Sequence, residues 1–176
     1  CISDSLGNDV IVVNEYPLDL RHAPAPAPGC YLGPAHSGGL GWGFGAALGA
    51  KMGAPDRTVV ATLGDGSYIF SVPTACHQAA RSHDLPILTI VFNNARWDEV
   101  IKSTLNVHPN GWAASTHCAP MTSLEPAADF EQIVGAFGGY GVRVKHAAEL
   151  PGALMRALAV VREERRQALV NIICRR

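Results

Sequence analysis

Two short polar segments, each directly after a run of apolar residues, carry the clearest chemistry in this sequence. The first is Gly64-Asp65-Gly66-Ser67, which follows residues 58–63, and the second is Asn93-Asn94, which follows residues 87–92. Both apolar runs are continuous and rich in β-branched side chains, which is typical of buried parallel strands. One predicted helix separates them, so the unit is βαβ and both polar segments lie at the carboxyl ends of its strands.

The oxygen atoms of these two segments suit a hard cation. Neighbouring strands lie about 4.8 Å apart, so the Asp65 carboxylate and an asparagine amide at the next strand end can reach one ion. Mg²⁺ prefers oxygen ligands and commonly combines one or two protein carboxylates with phosphate oxygens. Taken singly, Asp and Asn at strand ends also fit ordinary turn chemistry.

Apolar periodicity predicts the strands and helices around these residues. Strands are predicted at residues 10–13, 58–63, 87–92, 141–144 and 169–173. Helices are predicted at residues 46–52, 73–82 (with Ser71 as N-cap), 98–105, 128–137 and 150–164. Residues 23–28 and 106–126, rich in proline and turn residues, are predicted as loops. This alternation predicts an α/β fold with three layers, α/β/α, around a mostly parallel sheet of five to six strands.

Composition narrows the functional classes. A chain of 176 residues with 48% hydrophobic residues and a net charge of -1 suits one globular domain. The basic residues form no long stripe, so nucleic acid is not an expected partner. No apolar stretch reaches the roughly 18 residues that a membrane span needs. The five cysteines are widely spaced and contain no C-x-x-C, which argues against a disulfide framework or zinc site and favours a cytoplasmic location.

A glycine-rich block at residues 38–45 runs into the predicted helix 46–52. Each glycine inside a helix costs about 1 kcal/mol, so the block predicts a close approach of backbones. It imitates a dinucleotide-binding fingerprint, but that motif should follow a strand directly, and this block follows a loop. His36 precedes the block and either donates a proton to a reacting carbon, for which its pKa range is suitable, or is a loop histidine bonded to backbone.

Together these motifs resemble the GDG…NN signature of the thiamine-diphosphate-dependent enzymes. Asn14-Glu15, the glycine block, residues 54–57 and Asp129-Phe130 also resemble the acetolactate synthase and benzoylformate decarboxylase group. The resemblance covers nearly the whole chain and corresponds to the C-terminal diphosphate-binding (PP) domain. Residues 1–176 are therefore expected to form a single thiamine-diphosphate-binding domain and to be a fragment of a longer polypeptide.

The resemblance implies a set of site residues. Asp65, the Asn94 side chain and the backbone carbonyl of Arg96 would coordinate Mg²⁺, which would bridge the two phosphates of thiamine diphosphate. Asn93 would brace the turn. Leu40 would wedge the cofactor into its bent conformation. The remaining predicted cofactor contacts are Asn14, Gly39, Gly41, Gly64, Gly66 and Ser67.

The resemblance also implies the reaction, a decarboxylation or carboligation of a 2-oxo acid by a lyase. The alternatives are an acetohydroxyacid-synthase-like transferase and, in another class, a non-catalytic cofactor-binding module. The activating glutamate of such enzymes comes from a separate pyrimidine-binding domain, and Glu15 lies on the wrong domain for that role. The isolated chain is therefore expected to be inactive, and the enzyme to be a homodimer or homotetramer.

Two further residues have open or structural interpretations. Trp97, together with the predicted helix 98–105, is either a wall on the substrate side of the cofactor or part of the core. His77, on the helix that follows the GDG segment, is interpreted as structural.

Overall fold

Buried β-branched runs form the centre of the fold, as the sequence predicts. The computed structural model describes residues 2–6, 9–15, 18–19, 21, 27–33, 37 and 39–174. Six strands form one parallel sheet in the order β2-β1-β3-β4-β6-β5. They are β1 Val10–Asn14, β2 Tyr31–Leu32, β3 Thr58–Gly64, β4 Leu88–Asn93, β5 Tyr140–Val144 and β6 Ala168–Ile173.

Eight α-helices accompany the sheet in the described part of the chain. They are α1 Ile2–Leu6, α2 Trp42–Gly53, α3 Asp65–Phe70, α4 Pro73–Ser82, α5 Asp98–Val107, α6 Trp112–Thr116, α7 Phe130–Ala136 and α8 Leu150–Arg162. A short 3-10 turn, Ala147–Glu149, precedes α8. Among these residues no helix is both long and apolar enough to cross a membrane.

Alternating side chains of the strands divide the core into two halves. Val59, Ala61 and Leu63 of β3 belong to the half that α2, α3, α4 and α7 cover. Val60 faces the opposite half, which α1 and α8 cover. Because successive strand residues point to opposite faces, both faces of the sheet are buried, and the predicted three-layer α/β/α fold with a parallel sheet is confirmed.

The helix after the glycine block begins at Trp42, four residues earlier than predicted. At its start, close contacts leave no room for a side chain at two of the glycines. A Cβ on Gly41 would lie 2.7 Å from the Ser71 nitrogen, and one on Gly43 would lie 2.8 Å from the Glu15 Cβ. Gly41 also has a φ of 86°, a conformation that side chains disfavour. The predicted close approach of backbones is therefore confirmed at the start of α2.

The segment after β3 differs from the sequence prediction in one helix and one helix cap. Asp65 begins the short helix α3, which the apolar periodicity did not predict. Ser71 was expected to cap α4, but Val72 holds the N-cap position with a φ of 55°. The Ser71 hydroxyl is already engaged, because it donates to the Tyr68 carbonyl at the end of α3.

Other boundaries shift for local reasons. Helix α7 begins at Phe130 instead of residue 128, because the Ala128 carbonyl accepts hydrogen bonds from the side chains of Asn93 and Asn171. Within residues 106–126 the structure adds α6 and an antiparallel bridge between Arg96 and Ser123. The strand β2 has two residues, too few for a periodic pattern to reveal it.

Candidate functional site

The Asp65 carboxylate joins the two loops that leave the carboxyl ends of β3 and β4. Its Oδ1 accepts a hydrogen bond from the Gly66 N–H at 2.8 Å, and its Oδ2 accepts one from the Arg96 N–H at 3.2 Å. The residue is 4% exposed. Burial raises the pKa of Asp65, and the hydrogen bonds from backbone N–H groups lower it in part. Among the described residues no basic side chain pairs with this carboxylate.

The two asparagines at the end of β4 have different surroundings. Asn93 is buried, and its Oδ1 accepts a hydrogen bond from the Ala95 N–H at 3.1 Å. Asn94 has a buried Oδ1 that lacks a hydrogen-bond partner in the described part of the chain. A buried acceptor without a partner is costly and therefore uncommon, so the Asn94 oxygen calls for a partner that the described chain does not supply.

The backbone of Arg96 is oriented by a second segment of chain. The Trp97 N–H donates to the Thr122 carbonyl and the Leu124 N–H donates to the Ala95 carbonyl, each at 2.8 Å. In such an antiparallel pair the N–H and C=O of the central residue point away from the partner strand. The Arg96 N–H accordingly reaches Asp65, and the same geometry directs the Arg96 carbonyl away from Ser123.

Asp65, Asn94 and Arg96 are among the residues that border a cavity of about 370 Å³ at the carboxyl ends of β3 and β4. It is lined by Leu40, Gly64, Asp65, Gly66, Ser67, Phe92, Asn94, Arg96, Trp97, Asp98, Glu99, Val100, Lys102 and Cys174. The described chain contains no group of three or more His, Cys, Asp or Glu side chains that could hold a metal ion. A cation at Asp65 would therefore depend on amide, carbonyl and ligand oxygens, which is the donor set that Mg²⁺ accepts.

Trp97 forms one wall of this cavity and also packs on the GDG segment. A Cβ added to Gly66 would lie 2.4 Å from the indole ring of Trp97. The ring therefore lines the cavity and packs at the same time, and its place on the substrate side of the cofactor stays a prediction. Ser67 is buried beside this contact, at the same end of the cavity.

Leu40 reaches the cavity from the glycine block and is 45% exposed. The backbone beside it is anchored by Glu15, whose Oε1 accepts from the Gly41 N–H at 2.6 Å and whose Oε2 accepts from the Gly43 N–H at 2.7 Å. A carboxylate at the start of a helix also complements the helix dipole. Sequence reasoning missed this anchor, because it joins positions that only the fold brings together.

Asn14 lies away from the cavity lining, at the end of β1. Its Nδ2 donates to the Leu18 carbonyl and the Tyr31 hydroxyl, and its Oδ1 accepts from the Leu18 N–H and the Thr62 hydroxyl. These four bonds use both donors and both acceptor positions of an asparagine amide. Asn14 therefore ties the loop after β1 to the sheet, and its contact with a cofactor stays a prediction.

His77 lies in the core and not in the cavity. Its Nε2 is 2.8 Å from the Tyr68 hydroxyl and its Nδ1 is 2.6 Å from the Gln167 Oε1. Because an amide oxygen only accepts, Nδ1 donates to Gln167 and Nε2 accepts from Tyr68. Burial lowers the pKa of His77 and raises that of Tyr68, so the structural interpretation of His77 is confirmed.

His36 lies outside the residues that the structure describes, and its role as proton donor stays a prediction. Gly39 is exposed and directly precedes Leu40.

Cys174 was not expected at the cavity. It follows β6, its N–H donates to the Asn93 carbonyl, and burial followed by the nearby charge of Asp65 raises the pKa of its thiol.

Comparison with known proteins agrees with this geometry. Residues 18–172 match the family model described as thiamine pyrophosphate enzyme, C-terminal TPP binding domain. The sulfoacetaldehyde acetyltransferase of Alcaligenes xylosoxydans xylosoxydans is 29% identical over 175 residues, which are 99% of this chain and 26% of that protein. The acetolactate synthase isozyme 3 large subunit of Escherichia coli K12 is 36% identical over 133 residues, 74% of this chain and 22% of that protein.

A solved structure supports the same assignment. The thiamine diphosphate-dependent 4-hydroxybenzoylformate decarboxylase of Rhodococcus jostii RHA1 superimposes with a TM-score of 0.81 at 25% identity, over 99% of this chain and 31% of that one. The chain thus spans about a quarter of the length of the curated relatives described above. Since the family model matches most of its residues, the chain belongs to the thiamine pyrophosphate enzymes, as a C-terminal TPP-binding domain.

Proposed function

We propose that the cavity binds the diphosphate end of thiamine diphosphate together with Mg²⁺. The observation that carries the proposal is the buried, unpartnered Oδ1 of Asn94 beside the buried carboxylate of Asp65. A buried carboxylate without a cation is unfavourable, and Mg²⁺ would resolve both features at once. The proposed protein ligands are Asp65, Asn94 and the Arg96 carbonyl, with phosphate oxygens completing the shell.

The remaining cofactor contacts are proposed from their place in the cavity lining. Gly64, Gly66 and the Ser67 hydroxyl lie beside Asp65 and would border the diphosphate. The Gly66 N–H already donates to Asp65, so its part is to hold the carboxylate in place. Leu40, between Gly39 and Gly41, would support the reactive end of the cofactor.

We propose that the whole enzyme is a lyase that decarboxylates or carboligates 2-oxo acids. When bound, the cofactor supplies the electron sink for the bond that breaks. The part of this chain is to hold the cation and diphosphate at the sheet edge, to support the cofactor through Leu40, and to exclude water with Trp97 and α5. His36 would be a proton donor at the substrate side.

A transferase of the acetohydroxyacid synthase kind is the second candidate. It is favoured by the similarity to an acetolactate synthase and to a sulfoacetaldehyde acetyltransferase. The two activities differ in the fate of the decarboxylated substrate: the lyase releases it as an aldehyde or joins it to an aldehyde, whereas the transferase joins it to a second 2-oxo acid. Product analysis with one 2-oxo acid, alone and with a second one added, distinguishes them.

The partners of this chain are proposed from its exposed apolar surface and its share of the relatives' length. Ile69 and Phe70 at the end of α3 and Val72 at the start of α4 are 41%, 61% and 60% exposed. Gly41, the residue after Leu40, packs against the backbone of Phe70 and Ser71. We propose that a pyrimidine-binding domain with the activating glutamate covers this edge in a homodimer or homotetramer. The chain alone would then bind cofactor weakly and turn over no substrate.

The cysteines that the structure describes are free thiols, among them buried Cys30, and this supports the proposal of a cytoplasmic location.

Calorimetric titration of thiamine diphosphate into the full-length protein tests the metal assignment. The wild type should bind more tightly with Mg²⁺ than with a chelator, and Asp65→Ala should lose this dependence because the cation loses its only carboxylate ligand among the proposed set. Asp84→Ala is the matched control, since Asp84 pairs with Arg165 at an exposed site. Equal magnesium dependence in wild type and Asp65→Ala would refute the assignment.

A further inference from the structure

The loop that carries Asn94 and Arg96 has an unfavourable backbone conformation. Ala95, which lies between them, has a φ of 53° and is buried. Left-handed backbone at a residue other than glycine costs of order 1 kcal/mol or more and persists only when surrounding bonds impose it. Its N–H is held by the Asn93 side chain, through the 3.1 Å bond to Oδ1. Asn93 therefore holds the loop between Asn94 and Arg96 from one side, while residues 122–124 hold it from the other.

Asn93 is itself held from the neighbouring strand. Its Nδ2 donates to the Asn171 Oδ1 at 3.2 Å and to the Ala128 carbonyl at 3.3 Å. Asn171 lies on β6, which pairs with β4, and has no exposed surface. These bonds fix the orientation of the Asn93 amide, so that its oxygen faces Ala95.

Asn171 is held in turn from helix α7. Its Nδ2 donates to the Glu131 Oε2 at 2.7 Å and to the Ala128 carbonyl at 3.1 Å. The Glu131 Oε1 lies 4.0 Å from the Arg143 guanidinium of β5. A polar connection therefore runs from the sheet edge at β5, through α7 and β6, to the loop after β4.

Packing alone does not call for this connection. Every other residue of β6 is apolar, and a buried polar group without its hydrogen bonds costs about 1–3 kcal/mol. An aliphatic side chain at position 171 would fill the same space without that risk. The specific effect of the amide is on Asn93, and through it on the loop that would hold the cation.

We propose that Asn171 is a positioning residue for the cation site, acting through Asn93, and that Glu131 fixes the orientation of Asn171. Neither residue lines the cavity. The inference rests on the proposed function, since it assumes that Asn94 and Arg96 bind a divalent cation. Partners outside the ligand shell of a metal typically change its affinity by about 10–100-fold.

Titration of Mn²⁺ into the full-length protein with thiamine diphosphate, followed by the electron paramagnetic resonance signal of free Mn²⁺, tests the proposal. Asn171→Leu keeps the branching and the number of side-chain heavy atoms but removes the bond to Asn93, so Mn²⁺ affinity should fall about tenfold. Gln167→Met is the matched control, because it removes a buried amide next to β6 that bonds to His77 and not to the cation loop. It should lower stability to urea while leaving Mn²⁺ affinity within about twofold of wild type.

Several outcomes overturn the proposal. Unchanged Mn²⁺ affinity in Asn171→Leu does so, and so does an equal loss in both variants, which would mean that affinity follows general stability. If Asn171→Leu does not fold, Glu131→Ala decides the question, with a severalfold loss of affinity expected and an unchanged affinity contradicting it. Absence of a cofactor-dependent Mn²⁺ site in the wild type would instead refute the proposed function.

Discussion

At the scale of single residues, the candidate site depends on contacts that leave no room for a side chain. Gly66 is the clearest case, since the Trp97 indole occupies the position of its missing Cβ. Gly45 in α2 has nothing within 4 Å of the corresponding position. The fold therefore requires glycine at position 66, whereas position 45 has room for a side chain.

Alanine substitution at these two glycines should have opposite effects. Gly66→Ala forces Trp97 to move and should destabilise the fold by about 1–3 kcal/mol, the usual range for overpacking. Gly45→Ala removes backbone freedom from the unfolded chain and should stabilise it by about 0.5–1 kcal/mol. Urea unfolding of both variants measures the two changes. A neutral Gly66→Ala would mean that the ring does not pack on the GDG segment as described.

At the scale of elements, one buried histidine links the two helices that follow β3 to the residue before β6 through hydrogen bonds. His77 of α4 joins the Tyr68 hydroxyl of α3 to Gln167, the residue before β6. The aromatic rings of Phe44 and Phe137 lie against the imidazole. The network therefore ties α3 and α4 to the core, and none of its three side chains lines the candidate site.

The network predicts a dependence of stability on pH. Burial lowers the pKa of His77 below its usual value of 6.5, so below about pH 6.5 the unfolded state binds a proton that the folded state does not. Stability should therefore fall as pH drops from 7.0 to 5.5, by at most about 1.4 kcal/mol per pH unit from this group. Urea unfolding of wild type and His77→Phe measures this component as the difference in slope.

His83→Gln is the control for that measurement, since His83 is exposed just after α4. It should keep the slope of the wild type. His77→Phe should be less stable at pH 7, because Tyr68 and Gln167 lose their partner, but it should be less sensitive to acid. An unchanged slope in His77→Phe would show that another group is responsible.

At the scale of the whole molecule, the sequence predicts the layers well and the long-range anchors poorly. Continuous apolar runs such as β3 and β4 identify buried parallel strands, and the spacing of Asp65 and Asn94 predicts that they share one edge. Two hydrogen bonds could not be predicted: the one that the Glu15 carboxylate accepts from the Gly41 N–H, and the one that the Asn171 Oδ1 accepts from the Asn93 amide. They depend on strand order and on the orientation of single side chains, which periodicity does not contain.

The exposed edge beside the cavity leads to a prediction about assembly. Phe70 and Met155 are both large, apolar and exposed, at 61% and 67%. Phe70 lies at the end of α3, next to the glycine block, whereas Met155 lies on α8, which covers the other face of the sheet. If a partner domain covers the cavity edge, Phe70→Asp should weaken it by placing an unpaired charge in the interface.

Sedimentation velocity of the full-length protein, with thiamine diphosphate affinity measured in parallel, checks this expectation. Phe70→Asp should shift the protein toward smaller species and weaken cofactor binding, because the cofactor would lose the domain that covers its reactive end. Met155→Asp introduces the same charge at comparable exposure and should change neither property. An unaltered assembly in Phe70→Asp, or equal effects of both substitutions, would contradict a partner at the cavity edge.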